Sequence, residues 1–332
     1  MPEPPFLPYP QFPMKPSAFG VNWAQIAWSL GGCGLVVGTL FCLLKFKERQ
    51  REARRERPPK KEKLLRPAGY SAWCRMDELS EKLLQGLVSA LGAGAVFGVT
   101  VGGLYPLVEG LALGEFHVSQ VWPALRSSSL GVLVLVAVAA LAWAIWEIRV
   151  ILRLRDEMGN WQLGRRGEQA VAEALADRGL AAADYVAFHD VPGDGAWNVD
   201  HVVIGPGGVF VLETKARSRR KAKRNQAEGV VRFDGRVLQF PWCYDDEAAP
   251  EAERNSAWVR EFLAKFPPKN IPVQPVIVVP GWYVEAQGNY PVKVMNEKYL
   301  VGYLKGAKRL FTLDQLEPVI ERLDERCRTI EF

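Results

Sequence analysis

Asp200-His201-Val202-Val203-Ile204-Gly205-Pro206-Gly207-Gly208-Val209-Phe210-Val211-Leu212-Glu213-Thr214-Lys215 runs from one apolar segment through four turn formers into another. Residues 199–204 and 209–215 have the β-branched and aromatic content of strands. The Gly-Pro-Gly-Gly between them predicts a tight reversal. Side chains alternate along a strand, so Val209, Val211, Glu213 and Lys215 share one face, which passes from apolar into an acid and a base. If the strands pair around the turn, Asp200 and Glu213 approach at the open end of the hairpin. Two carboxylates held together repel unless a proton or a cation intervenes. Mg²⁺ or Mn²⁺ with oxygen ligands suits such a pair. Lys215 beside the ion would orient or help deprotonate an attacking water and stabilise charge developing on a phosphoryl group. The plainer alternative is an Asp and a Glu–Lys pair at solvated strand ends.

Working outward, residues 166–178 read as an amphipathic helix with Val171, Ala174 and Leu175 on one face. Residues 184–191 read as a strand closed by the turn Pro192-Gly193-Asp194-Gly195. Further on come a helix near 255–266, a buried strand at 273–279, a short strand at 292–295 and a terminal helix over 313–327. Helix, meander, helix and further strand predict an α/β domain over 158–332, of ordinary size for one domain. His189 and His201 are expected to be structural. Trp242, Tyr244 and Trp258 read as core residues before base-stacking ones.

Gly167-Glu168 at a helix start, the run from Asp200 to Val211 and then Glu213-Thr214-Lys215 resemble the nuclease-related domain, NERD, of the PD-(D/E)XK nuclease superfamily. The resemblance covers about 163–280. It implies a restriction-endonuclease-like fold and a metal-dependent phosphodiesterase site. In that site Glu168 reaches in from the first helix and Lys215 is the catalytic lysine. Asp200 and Glu213 are metal ligands, with the Thr214 carbonyl as a third. Two motifs depart from the family pattern. Ala216-Arg217-Ser218 replaces the Trp and Gly that often follow the lysine, and Asn255-Ser256-Ala257-Trp258-Val259 stands where an Asn-Pro-x-x-Gln helix opening is common.

Just past the lysine, Arg217, Arg219, Arg220, Lys221, Lys223 and Arg224 put six basic residues in eight. They read either as a solvated loop or as a clamp for nucleic-acid phosphates, DNA first and RNA as an option.

The N-terminal half is of another kind. An average of 48% hydrophobic and 24% charged residues suits a soluble protein, yet residues 23–44, 83–108 and 127–146 contain no charge at all. Each is long enough to cross a bilayer as helix, which excludes a simple soluble enzyme. The five cysteines are scattered without a C-x-x-C spacing, which excludes a disulfide scaffold. Residues 1–158 carry 18 basic against 13 acidic residues, while 159–332 carry 24 of each. The basic excess therefore belongs to the membrane half and says nothing of nucleic-acid binding.

Between residues 45 and 66 lie eleven basic and four acidic residues. By the positive-inside rule this loop is cytoplasmic. The resulting organisation is a Pro-rich extracytoplasmic arm at 1–20, transmembrane helices at 21–45, 83–108 and 127–148, a basic cytoplasmic loop at 46–82 and an outer loop at 109–126. The N-terminus lies outside and the nuclease-like domain in the cytoplasm. Gly94, Gly98 and Gly102 form a small-residue face suited to helix packing, within the chain or between copies.

Together these readings predict an integral membrane protein whose three transmembrane helices display a Mg²⁺- or Mn²⁺-dependent nuclease domain. DNA processing and defence against foreign DNA are candidate settings. Two alternatives are a catalytically silent module that tethers nucleic acid or protein to the membrane, and a structural assembly protein without metal affinity.

Overall fold

In the computed structural model, residues 45–46, 63–112, 128–219, 229–286 and 288–330 are described. The arm at 1–20, nearly all of the apolar segment at 21–45, the loop up to residue 62, most of the outer loop and four of the six basic residues at 217–224 lie outside them.

The chain divides into two compact units, one of residues 1–55 and 82–154, the other of residues 56–81 and 155–332. The first is built on two long helices, α1 (Tyr70–Ala112) and α2 (Ser128–Leu175), whose remaining turns belong to the second unit. Both helices are long and apolar enough to cross a membrane. Their large apolar side chains point outward: Leu91 is 68% exposed and Leu135 70%. Such faces suit lipid better than water.

Inside this unit the helices meet at Gly86, where an added Cβ would lie 3.2 Å from Ile151. One turn on, the buried Glu147 accepts hydrogen bonds from Ser89 Oγ at 2.6 Å and Trp143 Nε1 at 3.1 Å. A carboxylate between apolar helices is costly unless so satisfied. By contrast, a Cβ at Gly94, Gly98 or Gly102 would meet nothing within 4 Å. That glycine face is unpacked among the described residues.

The α2 helix carries a finding that the sequence pattern hides. The apolar segment from Ser128 and the amphipathic segment as far as Leu175 are one continuous helix of 48 residues. The charged link between them has no Pro, and its two glycines, Gly159 and Gly164, keep their backbone N–H groups, so helical hydrogen bonding continues through it.

The second unit is centred on a five-stranded sheet. Its strands are β2 (Val186–Pro192), β3 (Asn198–Gly205), β4 (Gly208–Thr214), β8 (Val273–Val278) and β10 (Lys293–Met295), in the order β10-β8-β4-β3-β2. The first three form the expected antiparallel meander, and β8 and β10 add in parallel. Parallel pairing requires a crossover; here α4 (Ala248–Leu263) lies between β4 and β8 in the chain.

Period-2 alternation sorts the core. Val202, Ile204, Val209 and Val211 pack with Val259 and Leu263 of α4 and with Leu316, Val319 and Leu323 of α6 (Leu313–Cys327). On the opposite face Val203, Phe210 and Leu212 pack with Val171 and Leu175 of α2 and with Leu300 and Leu304 of α5 (Glu297–Lys305). This is a sheet with helices on both sides. The one-turn helix α3 (Arg178–Ala181) follows α2.

A second sheet, β7-β6-β5-β9, was not expected. It is built from β5 (Val230–Phe233), β6 (Leu238–Gln239), β7 (Tyr244–Asp245) and β9 (Tyr283–Ala286). It closes a separate core around Phe233, Phe240 and the fully buried Trp282, against which Trp242 packs. Nor is the segment before α1 a plain loop. Strand β1 (Leu64–Leu65) pairs antiparallel with β11 (Arg328–Ile330), and residues up to 81 belong to this unit.

Candidate active site

The β3–β4 ladder runs from Gly205↔Gly208 to His201↔Leu212. One residue further, Asp200 and Glu213 stand across from each other on the α4 face, as the alternation requires. Backbone pairing stops there because the Asp200 carboxylate takes over, its Oδ2 accepting from the Thr214 amide at 2.7 Å. Glu213 is 5% exposed and both its oxygens are engaged. Oε1 accepts from Lys215 Nζ at 2.8 Å, and Oε2 from Asn255 Nδ2 at 3.0 Å. Lys215 Nζ also donates to Glu251 Oε2 at 2.6 Å.

Glu251 and Asn255 are four residues apart on α4, hence on one helix face. Their spacing was the available signal, and only Asn255 was singled out from sequence. The residue that stands where the family motif has its helix opening serves here as an anchor for Glu213.

Glu168 enters from α2 on the other side of the sheet. The glycine before it makes that approach possible, since a Cβ at Gly167 would sit 2.6 Å from Ala216 Cβ and 3.3 Å from Thr214 Cγ2. Replacing Gly167 with alanine is therefore expected to push α2 off the end of β4 and cost about 1–3 kcal/mol of stability, measurable by thermal unfolding. The Gly69 backbone N–H lies near enough to favour the charged form of the Glu168 carboxylate, while Oε2 of Glu168 is buried without a hydrogen-bond partner.

The electrostatics follow from this crowding. Burial, then the Asp190 and Glu213 charges, push Glu168 up to about 7. Burial and the charges of Glu213 and Glu168 raise Asp200 well above the usual carboxylate range. Burial also raises Glu213, against the pull of Lys215. Burial works against the Lys215 ammonium too, but Glu213 and Glu251 outweigh it and its pKa lies above the ordinary lysine value. Lys215 is a cation here, not a base.

A group whose pKa is raised by folding stabilises the fold fully only below its unfolded value and loses that contribution as pH rises through the folded value. For Glu168 that window runs from 4.5 to about 7. Metal-free protein is therefore expected to lose stability across it, and Glu168→Gln to flatten the profile, as read by thermal unfolding in EDTA at stepped pH.

Asp200, Glu213 and Lys215 thus stand together at the hairpin end, and Glu168, the residue the resemblance pointed to, is close enough to interact with Asp200 and Glu213. Among the described residues no three or more His, Cys, Asp and Glu side chains form a metal-binding group. A cation held here would rest on Asp200, Glu213 and a backbone carbonyl such as that of Thr214. The unpartnered Glu168 oxygen and the mutually raised carboxylates are what a cation would relieve, so the residues fit one.

Of the basic run, Arg217 and Arg219 have intramolecular partners. Arg217 pairs with Asp245 at 2.6 Å and lies over Phe240, while Arg219 bonds the Gly281 carbonyl and lies over Trp282. Arg220, Lys221, Lys223 and Arg224 lie outside the described residues. His189 and His201 form a pair, Nδ1 to Nδ1 at 2.8 Å, and both are held below the usual histidine range by burial.

Residues 163–280 match the family model of the nuclease-related domain, NERD. The matched segment, a little over a third of the chain, holds all the acids and the lysine just described. No curated protein and no solved structure matches the chain.

Proposed function

We propose that this protein is a membrane-anchored, metal-dependent nuclease that hydrolyses phosphodiester bonds, with DNA as its substrate. The observation that carries the reading is the convergence of Asp200, Glu213, Lys215 and Glu168 at the open end of the β3–β4 hairpin, inside a NERD segment. Asp200 and Glu213, with the Thr214 carbonyl, would hold Mg²⁺ or Mn²⁺. When bound, the ion supplies Lewis-acid activation of the phosphate and of a water.

The chain's own groups do the rest. Lys215, charged and held by Glu213 and Glu251, places a positive donor where negative charge develops on the phosphate. Glu168 titrates near neutrality and has a free buried oxygen, so it suits the receipt of a proton from the attacking water. Asn255 holds Glu213 in place. Arg220, Lys221, Lys223 and Arg224, assisted by Arg217 and Arg219, would draw in the polyanion. The apolar faces of α1 and α2 support membrane anchoring, and by the positive-inside rule the basic residues 45–66 support a cytoplasmic nuclease-like domain. The glycine face at 94, 98 and 102 is open to a second copy.

One observation favours a second reading. Lys215, Glu213 and Asn255 satisfy one another without any ion, as a silent binding module would have them. Full-length protein in detergent, incubated with linear, circular and single-stranded DNA and with RNA in Mg²⁺, Mn²⁺ or EDTA, separates the two. The nuclease reading expects cleavage that EDTA stops. Binding of nucleic acid without cleavage in either metal would establish the silent module instead.

A further inference from the structure

Residues 64–71, directly ahead of the apolar helix α1, lie against the back of the site. Leu64 and Leu65 pair with Ile330 and Arg328, and Arg66 donates its amide to the Cys327 carbonyl at 3.1 Å. The Arg66 guanidinium then reaches Asp190 at 2.9 Å. Asp190 lies between the His189↔His201 and Val191↔Val199 pairs, level with Asp200 on the neighbouring strand.

It is fully buried and has φ +49, a left-handed conformation that a non-glycine residue keeps only where its surroundings hold it. What holds it is the strap. Ser71 gives Asp190 both its amide, at 3.1 Å, and its hydroxyl, at 2.9 Å, while Asn198 donates at 3.0 Å. A buried carboxylate with four donors is fixed in place. Between Arg66 and Ser71 sits Gly69 at φ +73, where a Cβ would fall 2.7 Å from Arg165 Cγ. Gly69 thus packs on α2 one turn ahead of Glu168, whose charged form its backbone N–H favours.

We infer that Asp190 is a positioning residue: it pins the Arg66–Ser71 strap so that Gly69, packed on Arg165 one turn ahead of Glu168, keeps Glu168 in working orientation. This rests on the proposed role of Glu168 and extends it, because the NERD segment alone does not complete the site. The remaining part comes from the chain ahead of α1. A protein lacking residues 63–81 lacks the strap that packs on α2 beside Glu168.

The test uses full-length protein in detergent with Asp190→Asn, Ser71→Ala, Glu168→Gln and the paired variants, each checked for a native thermal transition. Two readouts are taken: amide exchange of the peptide spanning 64–72, and kcat and KM for DNA cleavage. Loss of the clamp should speed exchange in that peptide and lower kcat about tenfold at unchanged KM, whereas in the Glu168→Gln background it should change kcat less than about twofold, the non-additivity of residues acting through one another. Ser71→Thr, which keeps the hydroxyl, should restore the wild-type values.

Multiplicative losses of kcat, or exchange at 64–72 that neither Asp190→Asn nor Ser71→Ala alters, would overturn the inference. If wild-type protein cleaves nothing, the nuclease reading fails on its own. Exchange then decides: faster exchange in Glu168→Ala sustains the Gly69–Glu168 contact, and unchanged exchange removes it.

Discussion

Lys215→Ala is expected to lower DNA cleavage by about 10²–10³-fold, the range seen when one preorganised donor is removed from a transition-state charge. The geometry predicts how the loss divides. Nζ sits between Glu213 and Glu251 at 2.8 and 2.6 Å, so the ammonium is held in place before substrate arrives. Its removal should fall on kcat more than on KM, since a donor aimed at developing charge contributes little to ground-state binding. The substitution also leaves Glu213 and Glu251 facing each other without their shared cation, which should raise Glu213 further. Lys215→Arg keeps the charge but not the compact three-donor head and should recover little activity. Single-turnover kinetics of the three proteins, with Mn²⁺ affinity measured alongside, check the division.

Asp200→Asn is expected to have effects of opposite sign on binding and on stability. The amide can still accept from the Thr214 amide, so the strand end is kept. It cannot offer a charged oxygen ligand, and Mn²⁺ affinity and cleavage should both fall by at least about tenfold, in the range set by losing one bound carboxylate. Meanwhile the substitution removes a buried charge that Glu213 and Glu168 oppose. The metal-free protein should therefore unfold at a higher temperature than wild type at pH 7, the stability–function trade-off of an active site. The difference should shrink as pH falls, because burial and the charges of Glu213 and Glu168 raise Asp200 and favour its protonated form in the folded protein. Calorimetric Mn²⁺ titration and thermal unfolding in EDTA measure the two halves.

The parts of the fold legible in the sequence were those fixed by local pattern. The hairpin from Asp200 to Lys215 could be read because alternation and four turn formers act over a few residues. The bounds of α6, Leu313–Cys327, coincide with the helix expected there. The second sheet was hidden for the opposite reason: strands of two to four residues carry little periodicity, and β5 finds its parallel partner only at Val230↔Tyr283, half a domain away.

Residues 63–81 were hidden because they follow the basic stretch that ends at Arg66, and Pro67 and Gly69 read as loop until the partners of Arg66 and Ser71 are known. Asp190 looked like one more strand residue. Its left-handed backbone and its contacts with segments 119 and 124 residues earlier leave no trace in spacing. Asp200, Glu213 and Lys215 could be read because they sit on adjacent strands, and Glu168 through the family resemblance, whereas Glu251 and Asn255 act through a fold-level contact of α4 with the end of β4.

The most direct test of the account follows metal and chemistry in one sample. Full-length protein stripped with EDTA is titrated with Mn²⁺ while bound ion is read by paramagnetic resonance and cleavage of a labelled DNA by gel. The account predicts that cleavage is absent at the start, rises in step with bound Mn²⁺, and that Asp200→Asn and Glu213→Gln lose both together. Cleavage by stripped protein, or Mn²⁺ binding and cleavage that persist in both variants, would contradict it.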